Sequence, residues 1–282
     1  MCWYRFLLRP FVSRFIAGET LAQALSYGKK LQRRGVTPIF DILGEETSGR
    51  EGAVRTSETY MTLIDRLHRE RIPGAISLKL TAFALDEDEE TCYRAVARVV
   101  RHAHEAQILV WIDMEGSGYT SQTLRVYKRL LHQYDNVGIC IQTYLKRAKK
   151  DILSLLPDHP KIRLVKGVYP QKSKEVYSTH TAINTHFKEL ITLLSEKDAW
   201  TAIGTHDRNI ISHALGHAFP THMEFQMLKG IRDHEKFVLA EHGYAVCEYV
   251  PFGEHWEKYV LRRLLERARN VKWIIQSYLG IK

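Results

Sequence analysis

The sequence predicts a closed barrel of eight parallel strands, each followed by a helix, which is the (β/α)8 or TIM-type fold. Short segments rich in Ile, Val and aromatic residues alternate with longer helical patterns along the whole chain. Eight such strand–helix pairs can be drawn in the 282 residues, and eight is the number that closes this barrel. No low-complexity or Pro/Gly/Ser-rich linker divides the chain. A doubly wound open sheet is the alternative, because a sequence does not show closure.

The eight predicted strands are short and mostly β-branched or aromatic, as strands buried on both faces should be. They span Val36–Ile42, Ala75–Leu80, Ile108–Asp113, Val137–Gln142, Lys161–Lys166, Ala199–Gly204, His222–Gln226 and Tyr244–Val250. Apolar residues spaced three and four apart predict helices after them. Examples are Val54–Leu67, Cys92–Ala106, Thr120–Tyr134 and Val176–Leu194. We assign residues 36–282 to the barrel and residues 1–35 to an extra N-terminal helical segment.

Residues 1–18 differ in character from the barrel. They carry three arginines and no acidic residue, and large apolar side chains recur every four positions, as in Trp3, Leu7 and Phe11. A basic amphipathic helix at a membrane surface has this pattern, and so does part of a transit peptide. A helix packed across the bottom or side of the barrel is slightly favoured, because apolar residues surround much of it.

The bulk composition argues against several classes of protein. Hydrophobic residues make up 45% and charged residues 26% of the chain, as in ordinary globular proteins. Lys and Arg are spread along the length, so the net charge of +9 favours a solvated surface over a nucleic-acid groove. The sequence contains no run of about 18 apolar residues, the length that could span a bilayer. Its four cysteines include no CxxC pair, which favours a reducing, cytoplasmic location. His213 and His217 form an HxxxH pair without further ligands nearby, so no metal site is expected.

Polar side chains end most of the predicted strands. Catalytic groups of this barrel class gather at the carboxyl ends of the strands, so we expect these side chains to share one site. Polar residues also end strands because chains turn there, and each one alone indicates little. The set comprises Lys79, Asp113, Gln142, Lys166, His206, Gln226 and Tyr249.

Lys79 and Arg163 are the two strand cations that most need a partner. A buried lysine is costly without an anion, and Asp113 is a natural partner for Lys79 unless the lysine reaches solvent. Arg163 lies halfway along its strand and points into the barrel or into the helix layer, so it needs an anionic or electron-rich neighbour. Gly167 permits close approach of the backbone to a planar ligand or phosphate. No Walker loop or GxGxxG motif indicates a Rossmann-type nucleotide site.

Two later segments carry further candidates. Thr205 or Asp207 can cap the helix that follows the sixth strand. The free N–H groups of this helix would donate hydrogen bonds to a phosphate, and an ordinary N-cap without a ligand is the alternative. In the last helix, Trp256–Arg269, the adjacent Arg262 and Arg263 suit a small carboxylate, unless they form a solvated face. An apolar stripe of this helix is expected to face the barrel. It comprises Leu261, Leu264, Leu265 and Ala268.

Motifs along the chain resemble those of the proline dehydrogenase family. They are SLKLTA, IDMEGS, VGICIQTYLKR, IRLVKGVY, GTHD, EFQMLKGIR, YVPFG and YVLRRLLER, in the family's order and preceded by DILGE. Together they cover residues 41–270, and the short length resembles the monofunctional bacterial enzymes. The resemblance implies a distorted (β/α)8 barrel that binds FAD non-covalently and oxidises L-proline to Δ1-pyrroline-5-carboxylate by hydride transfer to flavin N5. It also implies a membrane quinone as electron acceptor, which makes peripheral contact with the cytoplasmic face of a membrane a hypothesis.

The resemblance assigns roles residue by residue. Arg163 would lie beside flavin N5, and Asp113 and Tyr249 would complete the catalytic pocket. Residues that would contact the substrate are Lys79, Arg262 and Arg263 at its carboxylate and Tyr169, Leu228 and Tyr259 around its ring. Residues that would contact FAD are Met114, Gln142, Lys166, Gly167, Val168, Thr205, His206 and Gln226. Glu45 resembles a residue that pairs with the first arginine of the last helix.

Three positions bear on specificity. Val168 stands where the family often has a smaller residue, and Pro170 directly follows Tyr169, so both could reshape the flavin or substrate site. The resemblance implies a preference for proline over hydroxyproline, because the family's hydroxyproline enzymes replace the tyrosine that stands here as Tyr249. Two rival interpretations are a barrel enzyme for a phosphorylated metabolite, with Lys79 or Lys166 as Schiff-base or phosphate residue, and a basic module that binds nucleic acid or membrane. The order of the motifs argues against both.

Overall fold

A computed structural model, which describes residues 4–44, 49–169, 173–219 and 222–265, shows a closed barrel of eight parallel strands. Each strand pairs with its neighbours in sequence order, and β8 returns to pair with β1. Closure excludes the open doubly wound sheet. The predicted TIM-type fold is confirmed.

The strands lie where the sequence predicts them, with ends that mostly differ by one or two residues. They are β1 Thr37–Ile42, β2 Ala75–Lys79, β3 Leu109–Asp113, β4 Val137–Gln142, β5 Lys161–Val165, β6 Thr201–Gly204, β7 Met223–Leu228 and β8 Ala245–Phe252. β8 runs two residues past its predicted end because Pro251 and Phe252 still pair with Asp41 and Ile42 of β1. This extension places Tyr249 inside the strand and not at its end.

In the described ranges, two helices precede β1, seven connect consecutive strands and one follows β8. They are α1 Tyr4–Phe15, α2 Leu21–Gln32, α3 Gly49–Arg69, α4 Glu89–Glu105, α5 Thr120–Leu131, α6 Ala148–Leu155, α7 His180–Glu196, α8 Arg208–Leu215, α9 Asp233–Glu241 and α10, residues 257–265. The predicted start of α7 at Val176 is wrong. Thr179 caps this helix, its hydroxyl accepting a hydrogen bond from the Ala182 N–H, because a threonine in extended conformation satisfies a free helix N–H.

Alternate residues of each strand face opposite sides of the sheet. Outward residues such as Ile76, Leu78 and Ile112 are fully buried against the helices. Inward residues in the lower half of the barrel form a second buried cluster, which we call the apolar floor. The apolar floor comprises Ile39, Ala75, Trp111, Ala202 and Cys247.

Helix α1 lies at the carboxyl end of β7 and β8, and not across the bottom or side of the barrel as favoured from the sequence. Its Leu8 and Phe15 pack with Trp256 and Val260 of the α10 region. The Lys229 ammonium after β7 donates to the Ser13 carbonyl oxygen at 3.0 Å. This docking places α1 beside the end of the barrel where the polar strand ends converge. Within the described ranges, no helix combines the length and apolarity that a membrane span needs.

Candidate active site

Asp113, at the end of β3, is the centre of a hydrogen-bonded cluster inside the barrel. Its Oδ1 accepts from the Arg163 Nη1 at 2.7 Å and from the Ser77 hydroxyl at 2.8 Å. Its Oδ2 accepts from the Tyr249 hydroxyl at 2.7 Å. Residues from strands β2, β3, β5 and β8 therefore meet at one carboxylate. The convergence predicted for Asp113, Arg163 and Tyr249 is present.

Lys79 forms an ion pair with Asp41 of β1, a closer partner than the one expected from the sequence. The expected pairing with Asp113 is also present, at 3.8 Å between Nζ and Oδ2. Lys79 Nζ further donates to the Tyr249 hydroxyl at 3.4 Å. We call Asp41, Lys79, Asp113, Arg163 and Tyr249 the polar layer, because they stand together above the apolar floor.

Burial and neighbouring charges set the charge states of Asp113, Lys79 and Tyr249 in the polar layer. Burial disfavours the charged form of Asp113, but Arg163 and Lys79 outweigh burial and hold the pKa of that carboxyl below its usual range. Burial also opposes the charge on Lys79, yet Asp41 and Asp113 raise its pKa. Burial and the charge of Asp113 raise the pKa of Tyr249 well above its usual range, so this phenol stays protonated. Lys79 is therefore a cation, Asp113 an anion and Tyr249 a neutral donor.

Arg163 points into the barrel, which settles the choice that its position in the strand left open. It is 4% exposed, and its guanidinium carbon lies 4.5 Å from the centre of the Trp111 ring. This contact supplies the electron-rich partner expected of a buried cation. Its Nε and Nη2 atoms are buried and have no hydrogen-bond partner in the structure. Two donors of Arg163 thus remain for a ligand.

Gln142, at the end of β4, and Gln226, inside β7, offer hydrogen-bond acceptors where Arg163 offers donors. The Gln142 amide nitrogen donates to the Met114 carbonyl oxygen at 3.0 Å, and the Gln226 amide nitrogen donates to the Glu224 carboxylate. In both side chains the amide oxygen is buried without a hydrogen-bond partner in the structure. Buried acceptors are costly when unpaired, so both oxygens are suited to a donor on a ligand.

The loops after β5 and β6 meet through Lys166 and Asp207, whose Nζ and Oδ2 atoms lie 2.6 Å apart. Asp207, and not Thr205, caps α8 by accepting from the Asn209 N–H at 3.0 Å. His206 accepts a hydrogen bond from the Leu228 N–H at 2.9 Å through Nε2, and burial lowers its pKa to about 4. His206 is therefore neutral and fixes the end of β7.

Gly167 and Val168 follow β5 on the same side of the barrel. Gly167 has a φ of 98°, and a Cβ atom there would lie 2.2 Å from the Tyr144 ring. Only glycine fits this position without displacing the tyrosine. Val168 is 51% exposed. Tyr169 is half-buried, and its carbonyl oxygen accepts from the Tyr144 hydroxyl at 3.0 Å.

Helix α10 lies over the polar layer and turns toward it a face other than the predicted apolar stripe. Leu261 and Leu265 are 42% and 54% exposed, so the expected apolar stripe does not face the barrel. Tyr259 and Arg263 are buried instead, and the Arg263 guanidinium carbon lies 5.4 Å from the centre of the Tyr259 ring. The helix turns this way because Leu264 joins the cluster with α1. Tyr259, Arg262 and Arg263 therefore lie on the side of the site.

Electrostatic effects show how close α10 comes to the strands. Arg262 and Lys79 both lower the pKa of Tyr169, although burial raises it overall. Burial raises the pKa of Tyr259 to about 12, and Arg263 and Arg262 oppose this rise. The two arginines thus bring positive charge to the region between α10 and the polar layer, as a carboxylate-binding site requires.

Several residues of the site were missed from the sequence. Asp41 is 1% exposed inside β1, and an acidic residue between the apolar Phe40 and Ile42 was the signal for it. Ser77 stands in the SLKLTA motif, but its hydrogen bond to Asp113 requires the fold. Glu115 accepts from the Thr81 hydroxyl at 2.6 Å, a contact that requires the fold. The predictions for Glu45, Pro170 and Ala268 lie outside the described residues.

Among the residues that the structure describes, no three His, Cys, Asp or Glu side chains are grouped as metal ligands would be. A closed (β/α)8 barrel with a buried charged cluster at the carboxyl ends of its strands defines the chain as a barrel enzyme.

The chain belongs to the proline dehydrogenase family, whose model matches residues 24–276. Proline dehydrogenase 1 of Bacillus subtilis strain 168 is 33% identical over 271 residues, covering 94% of this chain and 90% of that protein. Proline dehydrogenase of Deinococcus radiodurans is 30% identical over 280 residues, covering 94% and 89%. Members of the family are oxidoreductases that act on CH–NH donors, in the first step of proline catabolism. The resemblance stated from the motifs is confirmed.

A solved structure agrees with this assignment. Proline utilization A of Bdellovibrio bacteriovorus, in a crystal structure of the protein inactivated by N-propargylglycine, superposes with a TM-score of 0.83 at 26% identity. The match covers 96% of this chain and 34% of that longer protein. The barrel described above therefore corresponds to about one third of that chain.

Proposed function

We propose that the chain oxidises L-proline to Δ1-pyrroline-5-carboxylate by hydride transfer to N5 of non-covalently bound FAD, and that the electrons pass to a membrane quinone. The observation that carries the proposal is the polar layer, in which Asp113 joins Arg163 and Tyr249 at 2.7 Å each, beneath the arginines of α10. The family assignment supports the reaction type.

The unpaired polar atoms of the site fit FAD. The amide oxygens of Gln142 and Gln226 are buried acceptors, and Nε and Nη2 of Arg163 are buried donors. An oxidised isoalloxazine ring carries an N–H donor as well as nitrogen and carbonyl acceptors, so it matches both kinds of atom. Gly167, with no side chain against Tyr144, leaves the backbone close to such a ring. The bound flavin would supply the two-electron acceptor of the reaction.

The proline carboxylate would be held by Lys79, Arg262 and Arg263. Lys79 is already compensated by Asp41 and Asp113, so the additional positive charge for a substrate anion comes from the two arginines. Adjacent guanidinium groups bind a carboxylate with directed hydrogen bonds. Tyr169, Leu228 and Tyr259 would enclose the substrate ring from α10 and the loops.

Tyr249 and Asp113 would shape the pocket without themselves exchanging protons with the substrate. Asp113 stays ionised because Arg163 and Lys79 lower its pKa, and Tyr249 stays protonated because burial raises its pKa. The hydrogen bond from Tyr249 to Asp113 fixes the phenol ring against the site. We expect this fixed ring to disfavour a hydroxyl on the substrate ring, so turnover of hydroxyproline should be slower than turnover of proline. Faster turnover of hydroxyproline would refute this assignment.

Peripheral membrane contact would bring the site to its quinone. Phe6 and Phe11 of α1 are 80% and 44% exposed, and Leu261 and Leu265 of the neighbouring α10 are exposed as well. Exposed apolar side chains on a basic helix are typical of interfacial binding. We expect the protein to float with anionic liposomes and the variant Phe6→Ser/Phe11→Ser to float less. Equal flotation of the two proteins, or none by either, would contradict the contact.

The visible spectrum under anaerobic conditions tests the proposed reaction. Protein supplied with FAD should show oxidised-flavin absorption that bleaches on addition of L-proline and returns on addition of a quinone. D-Proline is the matched control for substrate geometry. A protein that binds FAD but is not bleached by L-proline would contradict the substrate, and a protein that binds no FAD would contradict the cofactor.

A further inference from the structure

Glu224 is a buried charged side chain beside the apolar floor. It is 8% exposed and lies on β7 next to Ala202, a floor residue to which it is paired across β6 and β7. The floor residue Cys247 also lies against it, and burial and Glu224 together raise the pKa of that thiol well above its usual range. A carboxylate in such surroundings is costly, so its retention calls for a reason.

The contacts of Glu224 point upward to Gln226. Its Oε1 accepts from the Gln226 amide nitrogen, and its Oε2 lies 3.5 Å from Nε2 of His222. An amide nitrogen donates hydrogen bonds and an amide oxygen accepts them. The Gln226 amide must therefore turn its nitrogen down to Glu224 and its oxygen toward the end of the strand. That oxygen is the buried acceptor without a partner described above.

Gln142 shows the same arrangement built by different means. Its amide nitrogen is held by the Met114 carbonyl oxygen at 3.0 Å, and its amide oxygen is likewise buried and unpaired. A backbone carbonyl, like a carboxylate, accepts only. Gln142 at the end of β4 and Gln226 inside β7 are thus each held at the amide nitrogen by an acceptor, which leaves the amide oxygen for a ligand.

We propose that Glu224 is a positioning residue that fixes the Gln226 amide as a hydrogen-bond acceptor for FAD. The inference rests on the proposed function, since it concerns the cofactor of that site. The donor on FAD is a ring N–H or a ribityl hydroxyl, which share the required chemistry. Glu224 itself touches neither substrate nor cofactor and acts through Gln226.

Binding of FAD to the apoprotein, followed by quenching of flavin fluorescence, tests the proposal. Glu224→Met removes the acceptor and suits the apolar floor, and Gln226→Met removes the amide. Each is expected to weaken FAD binding about tenfold, the effect of one buried hydrogen bond. The double variant should bind FAD no more weakly than Gln226→Met alone, because Glu224 acts only through the amide.

A reciprocal variant provides the rescue. In Glu224→Gln/Gln226→Glu the new glutamine donates to one oxygen of the new carboxylate, and the other oxygen still faces the site. FAD affinity should return to within about threefold of the wild type. The matched control is Asp151→Asn, which changes a buried carboxylate of α6 that pairs with Arg147, and it should leave FAD affinity unchanged.

If Glu224 only stabilised the fold, its replacement would lower the unfolding temperature of the apoprotein. The apoprotein of Glu224→Met/Gln226→Met should unfold at a temperature no lower than the wild type, because both partners are replaced by apolar groups of similar shape. Repeating the titrations with FAD methylated at ring N3 identifies the donor on FAD. If Gln226→Met no longer binds the methylated FAD more weakly than FAD, the donor is the ring N–H. If the difference in affinity is the same as in the wild type, the donor is a ribityl hydroxyl.

The following outcomes would overturn the inference. Wild-type FAD affinity in Gln226→Met would overturn it, whatever the other variants show. Wild-type FAD affinity in a folded Glu224→Met would also overturn it. A further loss on adding Glu224→Met to Gln226→Met does so as well. If the wild type itself bound no FAD, the proposed function would fail instead.

Discussion

The lower and upper halves of the barrel interior are lined by the same strands and have opposite chemistry. Moving two residues along β1 replaces Ile39 of the apolar floor by Asp41 of the polar layer, and on β3 the same step replaces Trp111 by Asp113. On β8 it replaces Cys247 by Tyr249. Side chains two apart share a face of a strand, so both sets point inward.

This difference separates the source of stability from the source of function. The floor consists of well-packed apolar side chains, whose burial stabilises the fold. The polar layer brings together two carboxylates and two cations, an arrangement that seldom stabilises more than apolar packing would. Its retention at the carboxyl ends of the strands therefore indicates chemistry, and substitutions in the two halves should have different consequences.

The largest effect on stability is expected from Arg163→Met. Removing the guanidinium leaves Asp113 without its partner at 2.7 Å, and a buried charge deprived of its partner costs about 3–5 kcal/mol. Urea denaturation of the apoprotein measures the loss. A loss below about 1 kcal/mol would mean that the charges of the polar layer are well solvated.

Ile39→Ala should destabilise the floor by about 2–5 kcal/mol through the cavity it leaves. Because Ile39 lies in the apolar floor below the site, kcat/KM for proline per folded molecule should stay close to that of the wild type. Denaturation and steady-state assays on the same preparation measure both quantities. A fall in kcat/KM as large as that of a polar-layer variant would break the distinction between the two halves.

Asp113→Asn should lower activity more than stability, the reverse of Ile39→Ala. The amide keeps the shape of the carboxyl group but loses its charge toward Arg163 and Lys79, and we expect kcat/KM for proline to fall about 100-fold. Its free energy of unfolding should fall less than that of Arg163→Met, because an amide oxygen still accepts from the Ser77 hydroxyl and the Trp111 ring still stabilises the Arg163 cation. Wild-type kcat/KM in this variant would remove Asp113 from the proposed pocket.

The smallest effect is a pH dependence. The pKa of Asp113 is lower in the folded protein than its ordinary value of 3.8, so its stabilising contribution is fully present above that value and is lost as the pH falls through the folded pKa. The difference in unfolding free energy between wild type and Asp113→Asn should therefore shrink below about pH 4. A difference that widens there would contradict the direction of the shift.

The sequence was sufficient for the fold and for much of the polar layer, for a physical reason. Buried parallel strands are continuous apolar runs, so Lys79, Asp113 and Tyr249 were visible as interruptions near their ends. Asp41 was overlooked because its significance depends on which face of β1 points inward. The orientation of α10 was predicted wrongly because its two stripes are equally plausible until α1 packs on Leu264.

The sequence predicted that these side chains share one site, but the individual contacts between them depend on closure of the barrel. The pairing of Lys79 with Asp41 joins neighbouring strands of known order, but the link from Tyr249 to Asp113 joins β8 to β3 across the barrel. Only the closed interior brings these side chains within 2.7 Å.

The most direct test of the account is the rate at which L-proline bleaches bound FAD in anaerobic rapid mixing, compared among the wild type, Ile39→Ala and Asp113→Asn. We expect the floor variant to bleach within about twofold of the wild-type rate and the polar-layer variant to bleach about 100-fold more slowly. Bleaching of Asp113→Asn at the wild-type rate would contradict the claim that the polar layer is the catalytic site.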